Sequence, residues 1–174
     1  MATWTVDKAH SEIEFKVRHM MISSVKGFFQ NFNFNMSGDP QDISTAAVRI
    51  AIETSSINTK NEQRDQHLRS EDFFNTTRYP EITFESTTIN RLNEEEYEVT
   101  GNLTIKNITK PITFHVEVGG LAKDPWGNEK IGFAFRGKVN REDFGLTWNT
   151  TLETGGVMVG EEVKIQGDVQ FILN

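Results

Sequence analysis

Asp7, His10 and Ser11 bring a carboxylate, an imidazole and a hydroxyl together near the N-terminus, the side-chain types of nucleophilic catalysis. Such a set works only if the imidazole reaches the hydroxyl. Neighbouring residues of an extended chain point to opposite faces, which parts Ser11 from His10 unless a bulge intervenes. The four histidines, His10, His19, His67 and His115, show no close ligand spacing, and the chain has no cysteine, so no metal site is expected. The glycine-rich stretch from Gly155 to Gly160 lacks the Lys-Ser/Thr that would make it a phosphate cradle. Asp143-Phe144-Gly145 stands without the motifs that accompany it in kinases. Arg64 could grip an anionic group through two parallel hydrogen bonds, or it could lock its own segment to Asp65 or a nearby carbonyl. Arg141 beside Asp143 has the same two readings. An enzyme acting on a hydrophobic substrate through Asp7, His10, His67 or Arg141, a small hydrolase for instance, is therefore one hypothesis, and no cofactor is expected for it.

The elements that must position these residues are mostly strands. Apolar residues alternate with polar ones in eight separate places: Glu12 to His19, Asn31 to Met36, Val48 to Glu53, Glu81 to Glu85, Tyr97 to Ile105, Ile112 to Val118, Phe133 to Val139 and Val163 to Phe171. Strands with one wet and one dry face belong to antiparallel sheets. Turn residues separate them at Gly38-Asp39-Pro40, Arg91 to Glu95, Lys110-Pro111, Gly119-Gly120 and Gly155-Gly156. An all-β sandwich or closed barrel in a single domain over 1–174 is predicted, and closure is the cleaner way to remove exposed edges. Thr59 followed by Glu62 is a capping-box signature, so a helix is predicted over about 60–74, with Asp65 and Arg69 as an i,i+4 pair. With Leu68 almost its only apolar residue, it should lie across one end of the sheet system.

Thirteen of the 18 aromatic residues are Phe, and strand phase puts most of them on one face. An eight-stranded barrel can be filled by such side chains, as an interaction module would be, or left open for one ligand. The stretch from His19 to Gly27, with Met20, Met21 and Ile22, reads either as a flexible lip over an entrance or as a short helix plugging the barrel. His19 continues the inward phase of Ile13, Phe15 and Val17 and should sit at the rim, either meeting a ligand head or buried and satisfied by the protein.

Net charge and length exclude other classes. At −7, with no basic run longer than two, the chain does not suit nucleic acid. Its longest apolar runs hold three residues, where a spanning helix needs about 20. Met1 to His10 has neither the basic start nor the apolar stretch of a secretory signal, so a cytoplasmic location is expected.

Read in order, several pieces resemble the YceI family of lipocalin-like polyisoprenoid-binding proteins. They are Trp4-Thr-Val-Asp7 with His10-Ser11, Phe15-Lys-Val-Arg-His19, Val25-Lys-Gly27-Phe28-Phe29, Ser56-Ile57 with Thr59, Arg64-Asp65 with His67-Leu68, and Asp72-Phe73-Phe74. Tyr79-Pro80 with Ile82, Phe84 and Ser86, Gly101 with Leu103-Thr104-Ile105, Trp126-Gly127, Arg141 with Asp143-Phe144-Gly145, and the closing strand from Val163 continue the match over nearly the whole chain. The resemblance implies an extended eight-stranded antiparallel barrel that holds a polyisoprenoid or other long-chain lipid without performing chemistry, together with homodimerisation and transient membrane contact. The pore wall expected on that basis comprises Phe15, Val17, Phe32, Phe34, Ile50, Phe84, Ile105, Phe114, Phe133, Phe135 and Ile165, with His19 and Arg64 at the head-group rim. Burial would hold the tail, and the acidic charge disfavours an anionic head only at short range, since repulsion beyond about 8–10 Å is screened.

Overall fold

The computed structural model describes residues 3–20, 22–149 and 159–173. Strands β1 (Thr3–Val6) and β2 (Glu12–His19) form the first run, β3 (Ser23–Phe29) and β4 (Phe32–Asp39) the second, and β5 (Asp42–Glu53) and β6 (Ile57–Asn58) the third. Helix α1 (Glu62–Arg69) follows, and then β7 (Glu81–Arg91), β8 (Glu96–Ile105), β9 (Ile108–Lys123), β10 (Glu129–Asn140) and β11 (Val159–Leu173). All pairings are antiparallel between successive runs, and β1 returns to β11 through Trp4 opposite Leu173 and Val6 opposite Phe171. The result is a closed eight-stranded barrel in which the first three strands are each bent into two segments.

Each bend keeps its hydrogen bonds. Between β1 and β2 the chain makes a short 3-10 turn at Lys8–His10, which breaks the ladder with β11. Asp7 N–H still reaches the Gln170 carbonyl at 2.8 Å. Gln170 N–H, which would otherwise face the turn, donates to the Ser11 hydroxyl at 3.0 Å. At the other two bends Glu53 N–H donates to Asn31 O at 2.9 Å and Gln30 N–H to Ser56 O at 3.2 Å. Backbone groups shielded from water must find partners, and here the corners of the barrel find theirs locally.

Outward positions such as Glu12, Lys16, Arg18, Lys164, Gln166 and Asp168 are exposed, while the inward phase is apolar. This is the reverse of a membrane barrel, whose lipid-facing side is apolar. One end is solidly packed. Trp4, Phe34, Phe133 and Phe171 are all buried there, with ring centroids 5.6–6.0 Å apart where they meet.

Several expectations need correction. The helix covers Glu62–Arg69 rather than 60–74, and its cap is Asn61, whose side chain accepts from Arg64 N–H at 3.1 Å. Thr59 instead donates from both backbone N–H and hydroxyl to Asp65, at 2.9 and 2.5 Å. Asp65 is thereby committed, and Arg69 turns to the carbonyls of Ser55 and Ile57 and to Glu62 rather than to Asp65. Lys110-Pro111 and Gly119-Gly120 are not turns but lie inside β9. Proline fits there because at Pro111 only β8 pairs with the strand, β10 joining from His115 onward. The glycines coincide with a register shift against Gly132 and Phe133, where Gly120 takes a φ of +100°. The His19-to-Gly27 stretch is a hairpin from β2 into β3 rather than a helix plugging the barrel; His19 and Val25 line the cavity, while Met20 and Ile22 are 41% and 83% exposed. Met21, Gly155 and Gly156 lie outside the described residues.

Candidate functional site

Above the packed end the barrel is hollow. A cavity of about 560 Å³ runs between the strands, within the range of about 300–1,000 Å³ typical of ligand pockets. Ten of the eleven expected wall residues line it: Phe15, Val17, Phe34, Ile50, Phe84, Ile105, Phe114, Phe133, Phe135 and Ile165. Phe32 does not. It is buried but packs edge-on against Phe34, centroids 5.8 Å apart, and forms core rather than wall. Phe15, Phe114 and Phe135 are only half-buried although they point inward, because the space opposite them is empty.

The cavity is polar at one end only. Its polar lining comprises His19, Thr59, Asn61, Gln63, Arg64, His67 and Arg141. All of them come from the end where α1 lies and where β2 finishes and β11 begins. Asn61 and Gln63 are exposed, so the cavity reaches solvent there.

Most of these groups are already engaged. Arg141 is buried and donates to the carbonyls of Gly160 at 2.7 Å, Trp148 at 3.0 Å, Val159 at 3.2 Å and Leu146. Burial pushes its guanidinium below the usual value, yet arginine stays charged in proteins. Its partners are main-chain carbonyls, and no Asp143 contact is found among the described residues. Arg64 donates from Nε to Thr59 Oγ1 and from one Nη to the Thr59 carbonyl, both at 2.8 Å. Its second Nη and the His19 ring have no protein partner among the described residues.

Five aromatic residues of the lining, Phe29, Phe73, Phe74, Trp148 and Phe171, are absent from the expected wall. Trp148 and Phe73 line the polar end and box in His67, whose ring stands edge-on to both at 4.6 and 5.1 Å while Nε2 meets Asp72 at 2.8 Å. Neither sits in an alternating run, so strand phase could not find them. The glycines of the wall also escaped, although an inward-phase glycine inside a strand signals a close approach.

The catalytic trio does not assemble. Asp7 Oδ2 is 2.9 Å from His10 Nδ1 and 2.8 Å from Lys130 Nζ, but the Ser11 hydroxyl donates to the Asp7 carbonyl at 2.7 Å and accepts from Gln170. The hydroxyl thus has no base to activate it. Among the described residues no group of three or more His, Asp or Glu side chains could hold a metal ion.

A closed antiparallel barrel around an apolar cavity with one polar end has the shape and chemistry to accept an amphiphilic molecule. Comparison identifies the family. The YceI-like domain model matches residues 4–171, and the chain belongs to that family. A UPF0312 protein of Staphylococcus aureus strain N315 is 45% identical over 100% of this chain and 99% of its own. The crystal structure of a Campylobacter jejuni YceI protein, 37% identical, superposes with a TM-score of 0.69 over 92% of this chain and 95% of that one. A polyisoprenoid-binding domain from Saccharophagus degradans shares the fold at 14% identity, with a TM-score of 0.76 and full coverage of both chains.

Proposed function

We propose that the protein binds a long-chain isoprenoid or similar amphiphilic lipid, tail inside the barrel and head at the polar end, and carries or stores it in the cytoplasm without chemical change. The observation that carries this reading is the asymmetry of the cavity, apolar along its length and polar only at the α1 end. Taking about 30 Å³ per water-sized group, the space holds on the order of twenty carbons. Burying them yields roughly 16 kcal/mol at about 0.8 kcal/mol per methylene. Immobilisation costs about 4–15 kcal/mol, which leaves enough for retention and still permits release. An Arg64 Nη and the His19 ring, which have no protein partner among the described residues, supply polar contacts for a head group. The family, and the description of a solved domain of the same fold as polyisoprenoid-binding, support the same reading. Loading and release would bring the polar end briefly to a membrane surface.

Native mass spectrometry of gently purified protein, followed by solvent extraction, tests this. A stoichiometric lipid, or saturable binding of prenyl alcohols by stripped protein, is the expected outcome. Absence of both overturns the proposal. The same spectra give the subunit count and so test the homodimer that the family resemblance implies.

A further inference from the structure

Four phenylalanines of the wall lie on glycines of the next strand. A methyl group on Gly137 would sit 2.6 and 2.8 Å from Phe114 Cδ1 and Cε1, and one on Gly27 only 2.5 and 2.9 Å from Phe15 Cε1 and Cε2, closer still to Cζ. Gly167 stands to Phe135 and Gly101 to Phe84 in the same way, each at 2.6 Å from the ring tip. All four rings lean in one sense around the barrel: β7 onto β8, β9 onto β10, β10 onto β11 and β2 onto β3. A ring that lies along the wall does not project into the lumen. The cavity is therefore wide where Phe side chains would otherwise narrow it.

The opposite side offers these rings no second seat. Phe15 is flanked on β11 by Ile165, directly opposite in register, and Phe114 on β8 by Val99. If the glycine seat is filled, the ring can only swing into the lumen. At Gly101 and Gly167 a methyl would also strike a backbone carbonyl, of Glu85 and Glu12 respectively, and so disturb the strands themselves. At Gly27 and Gly137 the three nearest atoms all belong to the ring, which makes these two positions the better control on the bore.

We propose that Gly27 and Gly137, by letting Phe15 and Phe114 lie flat, set the cross-section of the cavity and thereby admit a methyl-branched isoprenoid tail as well as a straight one. This rests on the lipid-binding reading above. A polyprenyl chain carries a methyl branch on every fourth carbon and needs a wider channel than a polymethylene chain of equal length. Raised rings would obstruct the first more than the second.

The test uses full-length wild type, Gly137→Ala, Gly27→Ala and the double variant Gly137→Ala/Phe114→Leu, with geranylgeraniol and the straight-chain C16 alcohol, equal to it in backbone length, as probes. Binding is read from tryptophan fluorescence, since Trp148 lines the cavity, and folding from circular dichroism. Either single glycine variant should weaken geranylgeraniol about tenfold or more while the straight alcohol changes much less. Phe114→Leu should restore geranylgeraniol binding to Gly137→Ala, because removing the ring reopens the bore even where the single variant folds poorly. Folded variants that bind both alcohols as wild type does, or lose both equally without rescue, overturn the proposal while leaving the lipid-binding reading intact. Wild type that binds neither alcohol overturns both.

Discussion

Trp4 lies flat against Phe133, ring centroids 6.0 Å apart and planes 7° from parallel, and so joins the first strand of the barrel to β10 across its interior. The indole also meets Phe171 edge-on at 5.7 Å and donates from Nε1 to the Gly38 carbonyl at 3.2 Å. This one side chain closes the packed end and secures the short β1 segment that completes the ring. Trp4→Ala should cost about 3–5 kcal/mol, and Trp4→Phe, which keeps a stacked ring but loses the hydrogen bond, only about 1–2 kcal/mol. Urea unfolding midpoints at constant m would show the ranking. Equal losses would mean that the hydrogen bond, and not the stack, holds the end shut.

Packed and wall phenylalanines should differ in the same assay. Phe171 is 1% exposed and forms part of the cavity floor, where its ring packs on Trp4, Phe34 and Phe133, so Phe171→Ala removes three ring contacts and should cost about 3–5 kcal/mol. Phe135 already borders empty space, and its truncation enlarges a cavity rather than creating one. Phe135→Ala should cost well under half as much. A cost equal to that of Phe171→Ala would show that the barrel collapses onto Phe135 in solution and that the cavity is not open.

Arg141 clamps the chain after β10 to the start of β11 through four carbonyls. Each buried acceptor that loses its donor costs on the order of 1–3 kcal/mol, so Arg141→Met should destabilise by about 3 kcal/mol or more, some carbonyls regaining water. Arg141→Lys keeps the charge but presents it as a point rather than a planar fork, and should recover less than half of the loss. If instead stability holds and only lipid affinity falls, Arg141 is a head-group contact and not a clamp.

The barrel was legible because alternation over eight runs needs only local information. Its gaps were legible too, in hindsight. The skipped inward positions between Val99 and Leu103, Phe135 and Val139, and Ile165 and Val169 are Gly101, Gly137 and Gly167, and their meaning lies in a phenylalanine on the neighbouring strand that register alone supplies. The helix cap was misplaced for a similar reason. Thr59 and Asn61 are both good cap residues, and the choice between them is made by the buried contact of Thr59 with Asp65, which capping rules do not contain. Phe32 and Phe34 share one phase and one chemistry; Phe34 borders the cavity while Phe32 packs edge-on against it, a difference that strand phase does not carry.

The contact between Asp7 and Lys130 predicts how stability follows pH. Lys130 Nζ approaches Asp7 Oδ2 at 2.8 Å, tying the 3-10 corner to β10. The Lys130 hydrogen bond, aided by that of His10, holds the Asp7 carboxyl below its ordinary value of 3.8, and the Asp7 hydrogen bond raises the Lys130 ammonium above 10.5. A lowered carboxyl contributes stability that is present above its unfolded value and lost as pH falls through the folded one. A raised ammonium contributes stability present below its unfolded value and lost as pH climbs through the folded one. The pair is therefore intact across the neutral range and fails at both extremes. Asp7→Asn should lower the melting temperature at pH 7 and flatten its decline in acid, so that the wild-type and variant curves converge as pH falls through the lowered carboxyl value. Added salt should shrink the difference at pH 7, because the pair lies near the surface. Parallel curves for the two proteins from pH 7 down to pH 2 would show that Asp7 acts through its backbone contacts with Ser11 and Gln170 rather than through its charge.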